Sequence, residues 1–157
     1  MPQRKKICLI SSSGGHFSQL KQITKVFDQN DLLIIVEKSN IEDKKLSDTI
    51  KCVYLMQQDR KKRNFLLTLM INFVLSFLFY IKFRPKVIIS TGAGAVIPFC
   101  FIAKMFGSKI IFIESFAKTT SPTITGKIIY RIADQFYIQW EELKKYYPNA
   151  LYKGQIY

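Results

Sequence analysis

Ile7-Cys8-Leu9-Ile10-Ser11-Ser12-Ser13-Gly14-Gly15-His16-Phe17-Ser18-Gln19-Leu20 is the stretch that decides the fold. Four consecutive apolar residues suit a strand buried on both faces. The Ser/Gly cluster then turns the chain, and Phe17, Leu20, Ile23 and Phe27 recur at helical spacing. Strand, glycine loop and helix in that order open a parallel α/β unit. Working outward, residues 32–36 and 52–56 read as second and third strands. Residues 87–90 read as a fourth, ending in Thr91-Gly92-Ala93-Gly94, with a helix predicted from about 95 to 106. A fifth strand at 110–113 closes on Glu114, a Ser/Thr/Pro loop follows, then a helix around 126–133 and a sixth strand at 135–139.

Strands alternating with helices imply a Rossmann-like parallel sheet with helices on both faces, because parallel strands need long crossovers. In the usual order 3-2-1-4-5-6, strands 1 and 4 are neighbours where the winding reverses, and ligands bind in the crevice outside their carboxyl ends. Both glycine loops follow those two strands. No linker or repeat interrupts the 157 residues, so one domain over 1–157 is expected, too short for two nucleotide-binding lobes.

Twenty-four Lys+Arg against 11 Asp+Glu give a net charge of +13, while 48% hydrophobic residues and 13 Phe exclude a disordered basic tail. Such a chain suits a polyanion, and its apolar content favours an anionic membrane surface over nucleic acid. Basic residues interleaved with aromatics on a recognisable nucleic-acid motif are not legible. Cys8, Cys52 and Cys100 are far apart within apolar runs, which suits buried thiols rather than zinc ligands or disulfides. The apolar run at 7–10 is too short for a signal-peptide core, so a cytoplasmic location is expected.

Residues 65–81 carry no charge over seventeen positions, between Arg60-Lys61-Lys62-Arg63 and Lys82, Arg84 and Lys86. A true span would put strands 1 to 3 and strands 4 to 6 on opposite sides of the bilayer, and basic flanks at both ends oppose the positive-inside rule. The favoured reading is a membrane-associating helix over about 64–82 lying in the interface. Phe65, Phe73 and Phe77 would face lipid, Arg60 to Arg63 would meet anionic headgroups, and Thr68, Asn72, Ser76 and Tyr80 form a polar stripe at spacing four. A crossover helix buried in the domain is the alternative.

Backbone N–H groups across Ser12, Ser13, Gly14 and Gly15, leading into a helix N-terminus, make a cradle for a diphosphate. His16, the sole histidine, ends that loop. An imidazole there can take a proton from a hydroxyl near neutral pH, or merely bond the loop. Glu114, at the end of strand 5 on the same edge, is the other candidate base, a group that orients an acceptor hydroxyl, or a loop cap. Thr91, Gly92, Ala93 and Gly94 leave room for a ligand or for close helix packing. Trp140, Tyr152, Ile156 and Tyr157 offer an aromatic and apolar tail, over about 150–157, that either packs or docks a partner.

With these residues in view the chain resembles the family of membrane-recruiting acceptor subunits of the two-part UDP-N-acetylglucosamine transferase of lipid-linked oligosaccharide synthesis. It looks still more like that family's bacterial counterparts in capsule and exopolysaccharide clusters. The resemblance rests on Ser13-Gly14-Gly15-His16, Thr91-Gly92-Ala93-Gly94 with Pro98, Ile113-Glu114-Ser115, Gly126-Lys127 and Ala133-Asp134. It continues through Gln139-Trp140, Leu143-Lys144, Tyr147-Pro148, Tyr152 and Gly154.

The resemblance implies the N-terminal-type lobe of a GT-B glycosyltransferase split into two proteins. This lobe would hold a polyprenyl-diphosphate-linked sugar at the cytoplasmic face of the membrane, and a small partner would hold most of the UDP-sugar. Transfer would be inverting and need no metal or cofactor, with His16 in the position of the base and the loop from Ser12 as the diphosphate cradle. Eukaryotic members carry an N-terminal membrane anchor that is not legible here, and Glu141 stands where proline is common. The rival function is a non-catalytic membrane scaffold that recruits and enhances a partner enzyme. The sugar transferred, the acceptor sugar and the linkage are not legible.

Overall fold

The computed structural model describes residues 7–28, 31–38, 50–59 and 63–156. Seven strands, β1 (Ile7–Ser11), β2 (Leu32–Glu37), β3 (Lys51–Leu55), β4 (Val87–Gly92), β5 (Lys109–Ile113), β6 (Gln135–Ile138) and β7 (Leu151–Tyr152), form one sheet in the order β3-β2-β1-β4-β5-β6-β7. Every pairing is parallel. The expected order is present, with one strand more than the sequence reading counted. β7 is two residues long and pairs through Tyr137↔Leu151 and Ile138↔Tyr152, too short to leave a periodic signal.

The helices are α1 (Gly15–Thr24), α2 (Phe65–Phe83), α3 (Ile97–Met105) and α4 (Ile124–Ile129). The helix expected from about 95 is a 3-10 turn, Gly94–Val96, running into α3, whose first turn takes Pro98 where no amide bond is lost. α4 begins earlier than the 126–133 reading because Thr123 Oγ1 accepts the Gly126 N–H at 2.7 Å and caps it. Strand side chains alternate between two cores. Leu9, Ile34 and Val36 pack beneath Phe17 and Leu20 of α1, while Cys8, Ile10, Leu33 and Ile35 share a core with Tyr80 and Phe83 of α2 and Phe99 and Cys100 of α3. Burial pushes the Cys100 thiol up to about 12, as suits a reduced packing residue.

α2 is inside out by the standard of a soluble protein. Its buried positions include Asn72 and Ser76, both 0% exposed, whereas Leu66 is 70%, Met70 68% and Phe73 53% exposed. Asn72, Ser76 and Tyr80 of the polar stripe therefore face the interior, while Thr68 is half-buried and bonds Asn64 O of its own helix start. Asn72 Oδ1 accepts the Met56 N–H at 2.8 Å and Asn72 Nδ2 donates to Met56 O at 2.9 Å, so one side-chain amide completes the backbone just beyond edge strand β3. Tyr80 Oη lies 3.2 Å from Ser108 Oγ, and its ring stacks on Phe106 at 5.1 Å. The alternative of a crossover helix buried in the domain does not survive these exposures.

A second buried polar knot joins β5, α4 and the turn before β7. Glu114 is 0% exposed and accepts hydrogen bonds from Thr123 Oγ1, Ser115 N and Tyr147 Oη, the last at 2.7 Å. A Cβ on Gly126 would stand 2.0 Å from Glu114 Oε2 and 2.6 Å from Tyr147 Oη. Gly126→Ala is accordingly expected to cost about 2–4 kcal/mol, because it overpacks and breaks a buried hydrogen-bonded network. Urea unfolding measures this, and a loss below about 1 kcal/mol would show that the knot yields easily.

Candidate functional site

At the winding reversal the carboxyl ends of β1 and β4 are fastened to each other. Ser12 N–H donates to Gly92 O at 2.9 Å, and Thr91 Oγ1 donates to His16 O at 2.9 Å. Gly92 (φ +102°) and Gly14 (φ +77°) occupy the left-handed region that side chains rarely adopt. The imidazole of His16 lies over Gly92, where a Cβ would come within 3.2 Å of the ring.

His16 Nδ1 is 2.6 Å from Thr91 O. A carbonyl oxygen only accepts, so Nδ1 carries a proton, and in the neutral ring Nε2 is the nitrogen with the lone pair. The second glycine loop is thus the seat of the imidazole, which fixes both its orientation and its tautomer.

The diphosphate cradle is narrower than expected. Ser12 N–H is already taken by Gly92 O, which removes it as a donor to any ligand. Ser12 is also 6% exposed. Ser13, Gly14 and Gly15 remain at the surface, and α1 starts at Gly15 without a side-chain cap. The Gly15, His16 and Phe17 N–H groups have no partner inside the helix, and the positive end of its dipole opens on the loop.

Glu114 is brought to the same end of the sheet but not into the crevice. Its carboxylate is buried and faces donors from Ser115, Thr123 and Tyr147, so the base role read from its strand-end position gives way to the loop-holding one. Burial, and then the carboxylate, push the Tyr147 phenol well above its ordinary range. Gln139, 1% exposed, donates to Glu114 O and through Oε1 accepts from Gln19 Nε2 and the Ile156 N–H. A buried amide thus ties the crevice floor to the tail.

Of the tail residues, Trp140 is engaged inside the chain. Its Nε1 donates to Phe116 O at 2.7 Å, so its edge is not available to a docking protein. Tyr152 is exposed on β7, Ile156 is half-buried, and Tyr157 lies outside the described residues. Phe73 and Phe77 of α2 are exposed, Phe65 is half-buried and Arg63 is exposed. Arg60, Lys61 and Lys62 lie outside the described residues.

One residue of the crevice was missed in the sequence. Glu37 ends β2, is 7% exposed, and accepts the Gln58 N–H. Burial raises its carboxyl above the ordinary range, against the opposing pull of that N–H. With Gln58, Ala93, Gly94, Lys118 and Thr125 it lines a cavity of about 410 Å³. Its signal was the same as that of Glu114, an acidic residue closing an apolar strand run at the carboxyl edge.

The model of the family described as "Oligosaccharide biosynthesis protein Alg14 like" matches residues 7–156. The chain belongs to the Alg14-like family. The human UDP-N-acetylglucosamine transferase subunit ALG14 is 31% identical over 88 residues, covering 52% of this chain and 41% of that protein. The Schizosaccharomyces pombe subunit is 27% identical over 178 residues, covering 99% of this chain and 85% of its own length. The match thus spans about two fifths of the human relative.

Among solved structures, MurG of Acinetobacter baumannii aligns with a TM-score of 0.69 at 14% identity, over 87% of this chain and 42% of that one. MnaA of S. aureus, solved with UDP, aligns with a TM-score of 0.68 at 12% identity, over 92% and 41%. The Alg14-like chain has the Rossmann-like fold found in GT-B proteins, and corresponds to about two fifths of either.

The clasp predicts that the neutral imidazole of His16 is the Nδ1–H tautomer, read from nitrogen-15 chemical shifts and two-bond couplings of the ring above its titration. The Nε2–H form would contradict the geometry.

Proposed function

We propose that this Alg14-like chain is the acceptor-binding and membrane-recruiting half of a two-protein inverting glycosyltransferase. The observation that carries the reading is the seat of His16: its basic nitrogen is oriented by Thr91 O at the mouth of a loop of open backbone N–H groups. The diphosphate of a polyprenyl-linked acceptor rests on Ser13 to Gly15 and the α1 N-terminus, where backbone donors and helix dipole favour anions. His16 Nε2 takes the proton of the acceptor hydroxyl as its oxygen attacks the anomeric carbon of the UDP-sugar. The bond to the UDP oxygen breaks, UDP leaves, and configuration inverts. Residue chemistry suffices for this step, with no metal or cofactor assigned. The UDP-sugar is held mainly by a small partner that docks beside β7 and the tail, with Tyr152 the exposed aromatic of that edge.

Membrane recruitment falls to α2. β3 precedes it and β4 follows it in one sheet, so its roughly 28 Å of length does not carry the chain across a bilayer of about 30 Å. Lying in the interface at the cytoplasmic face, it would place Phe73 and Phe77 in the acyl region. Arg63, Lys82, Arg84 and Lys86 would sit among anionic headgroups, each contributing about 1 kcal/mol. The polymer served is proposed to be a capsule or exopolysaccharide. That assignment rests on the sequence motifs, since the relatives named above are eukaryotic UDP-N-acetylglucosamine transferase subunits.

In membranes co-expressing the partner, His16→Ala should lower kcat by about 10²- to 10⁴-fold while the chain still sediments with membranes. An unchanged rate would favour the scaffold function. The double change Phe73→Glu with Phe77→Glu should release the chain from anionic vesicles in a flotation assay. Retention equal to wild type would remove α2 as the anchor.

A further inference from the structure

The cavity lined by Ala93 and Gly94 of the second glycine loop is not used by the diphosphate cradle or by His16. Gly92 carries the imidazole, and Ala93, the next residue, is a wall of the cavity. Ala93, Gly94 and Ala95 contribute almost no side-chain bulk on that wall, which is why space of about 410 Å³ exists, a size typical of small-ligand sites. The rest of the lining includes polar groups. Glu37 is 7% exposed, with Oε1 occupied by the Gln58 N–H. Gln58 Nε2 is buried and meets no acceptor among the described residues. Thr125 adds a hydroxyl and Lys118 an exposed ammonium at the rim.

We infer that this cavity is the subsite for the sugar ring of the lipid-linked acceptor, that it takes a neutral pyranose, and that Glu37 and Gln58 determine which one. A carboxyl group accepting at the end of β2 and a carboxamide donating three residues beyond β3, joined by the Gln58 N–H to Glu37 bond, match the vicinal hydroxyls of a pyranose. Such paired groups are the usual carriers of polar specificity in a site. Glu37 also sets the charge preference, because a uronic acid ring would bring a second carboxylate against a buried one. The position fits the reach of the reaction. Ala93 of the cavity wall follows Gly92, over which the His16 ring lies, so a ring seated against Ala93 and Gly94 is proposed to turn a hydroxyl toward His16 and its anomeric diphosphate toward Ser13 to Gly15.

This inference rests on the acceptor-binding reading, and the test separates the two. The chain, reconstituted in nanodiscs of zwitterionic lipid, is titrated with bare polyprenyl diphosphate. Parallel titrations use the same lipid diphosphate carrying glucose, galactose, N-acetylglucosamine or glucuronic acid. Wild type is expected to bind at least one neutral glycolipid about tenfold or more tighter than the bare lipid, and the glucuronic acid form no tighter than the bare lipid. Glu37→Gln keeps the size of the side chain and should bring that ratio close to one. Gln58→Leu removes an amide nitrogen with no acceptor among the described residues, and so spares the fold, and should lower the ratio severalfold; it decides the matter if Glu37→Gln fails to fold. A ratio near one in wild type, tightest binding of the glucuronic acid form, or a ratio unchanged in the variant that folds would overturn the subsite while leaving the acceptor reading intact. Failure of wild type to bind any of the lipids would overturn both.

Discussion

The contact on which the arrangement turns is the amide of Asn72 against the backbone of Met56. A 19-residue helix with one narrow polar stripe has two ways to sit on a sheet, and hydrophobic burial alone would put the stripe in water. Here the stripe faces inward, because the residue beyond β3 at the sheet edge needs both a donor and an acceptor, and Asn72 supplies the two in one group. Tyr80 fastens the far end through Ser108. With Asn72 and Tyr80 bonded inward, α2 shows the surroundings a largely hydrocarbon face, which water does not favour and a bilayer does.

That choice also orients the rest of the lobe. α2 leaves β3 at the carboxyl edge of the sheet, the edge on which both glycine loops and the Glu37 cavity open. Under the proposed function, a lipid-linked acceptor held by its diphosphate would have its apolar tail and its reacting head served from neighbouring parts of one surface. The Ser12–Gly92 and His16–Thr91 bonds make the reversal point a single unit rather than two loops. Glu114, deep beneath Thr123 and Tyr147, holds the 115–123 loop from below without entering the crevice.

Much of this is legible in residues alone. Apolar runs bounded by glycine set strand positions and order, because parallel strands are buried on both faces and leave little else in the sequence. The polar stripe of α2 is visible as a spacing of four. What periodicity does not convey is which polar atoms are already satisfied. Ser12 loses its N–H to Gly92, Trp140 loses its indole edge to Phe116, and Glu114 is saturated by neighbours that are near only in space. The two-residue β7 and the Thr123 cap are too local to register as a pattern. Glu37 was readable by the rule that singled out Glu114, but its cavity is built by the Gly94–Val96 3-10 turn, the loop before α4 and the start of α4, all far away in the chain.

The depth profile of α2 tests the central claim most directly. Single spin labels at positions 63, 70, 73, 74, 77 and 82 are placed in a chain lacking its native cysteines, bound to anionic vesicles, and read by collision with oxygen and with a water-soluble nickel chelate. The account predicts labels at 70, 73, 74 and 77 within the acyl region, and labels at 63 and 82 at headgroup depth on the same leaflet. Nickel accessibility at every position, or the two ends of α2 on opposite leaflets, would contradict it.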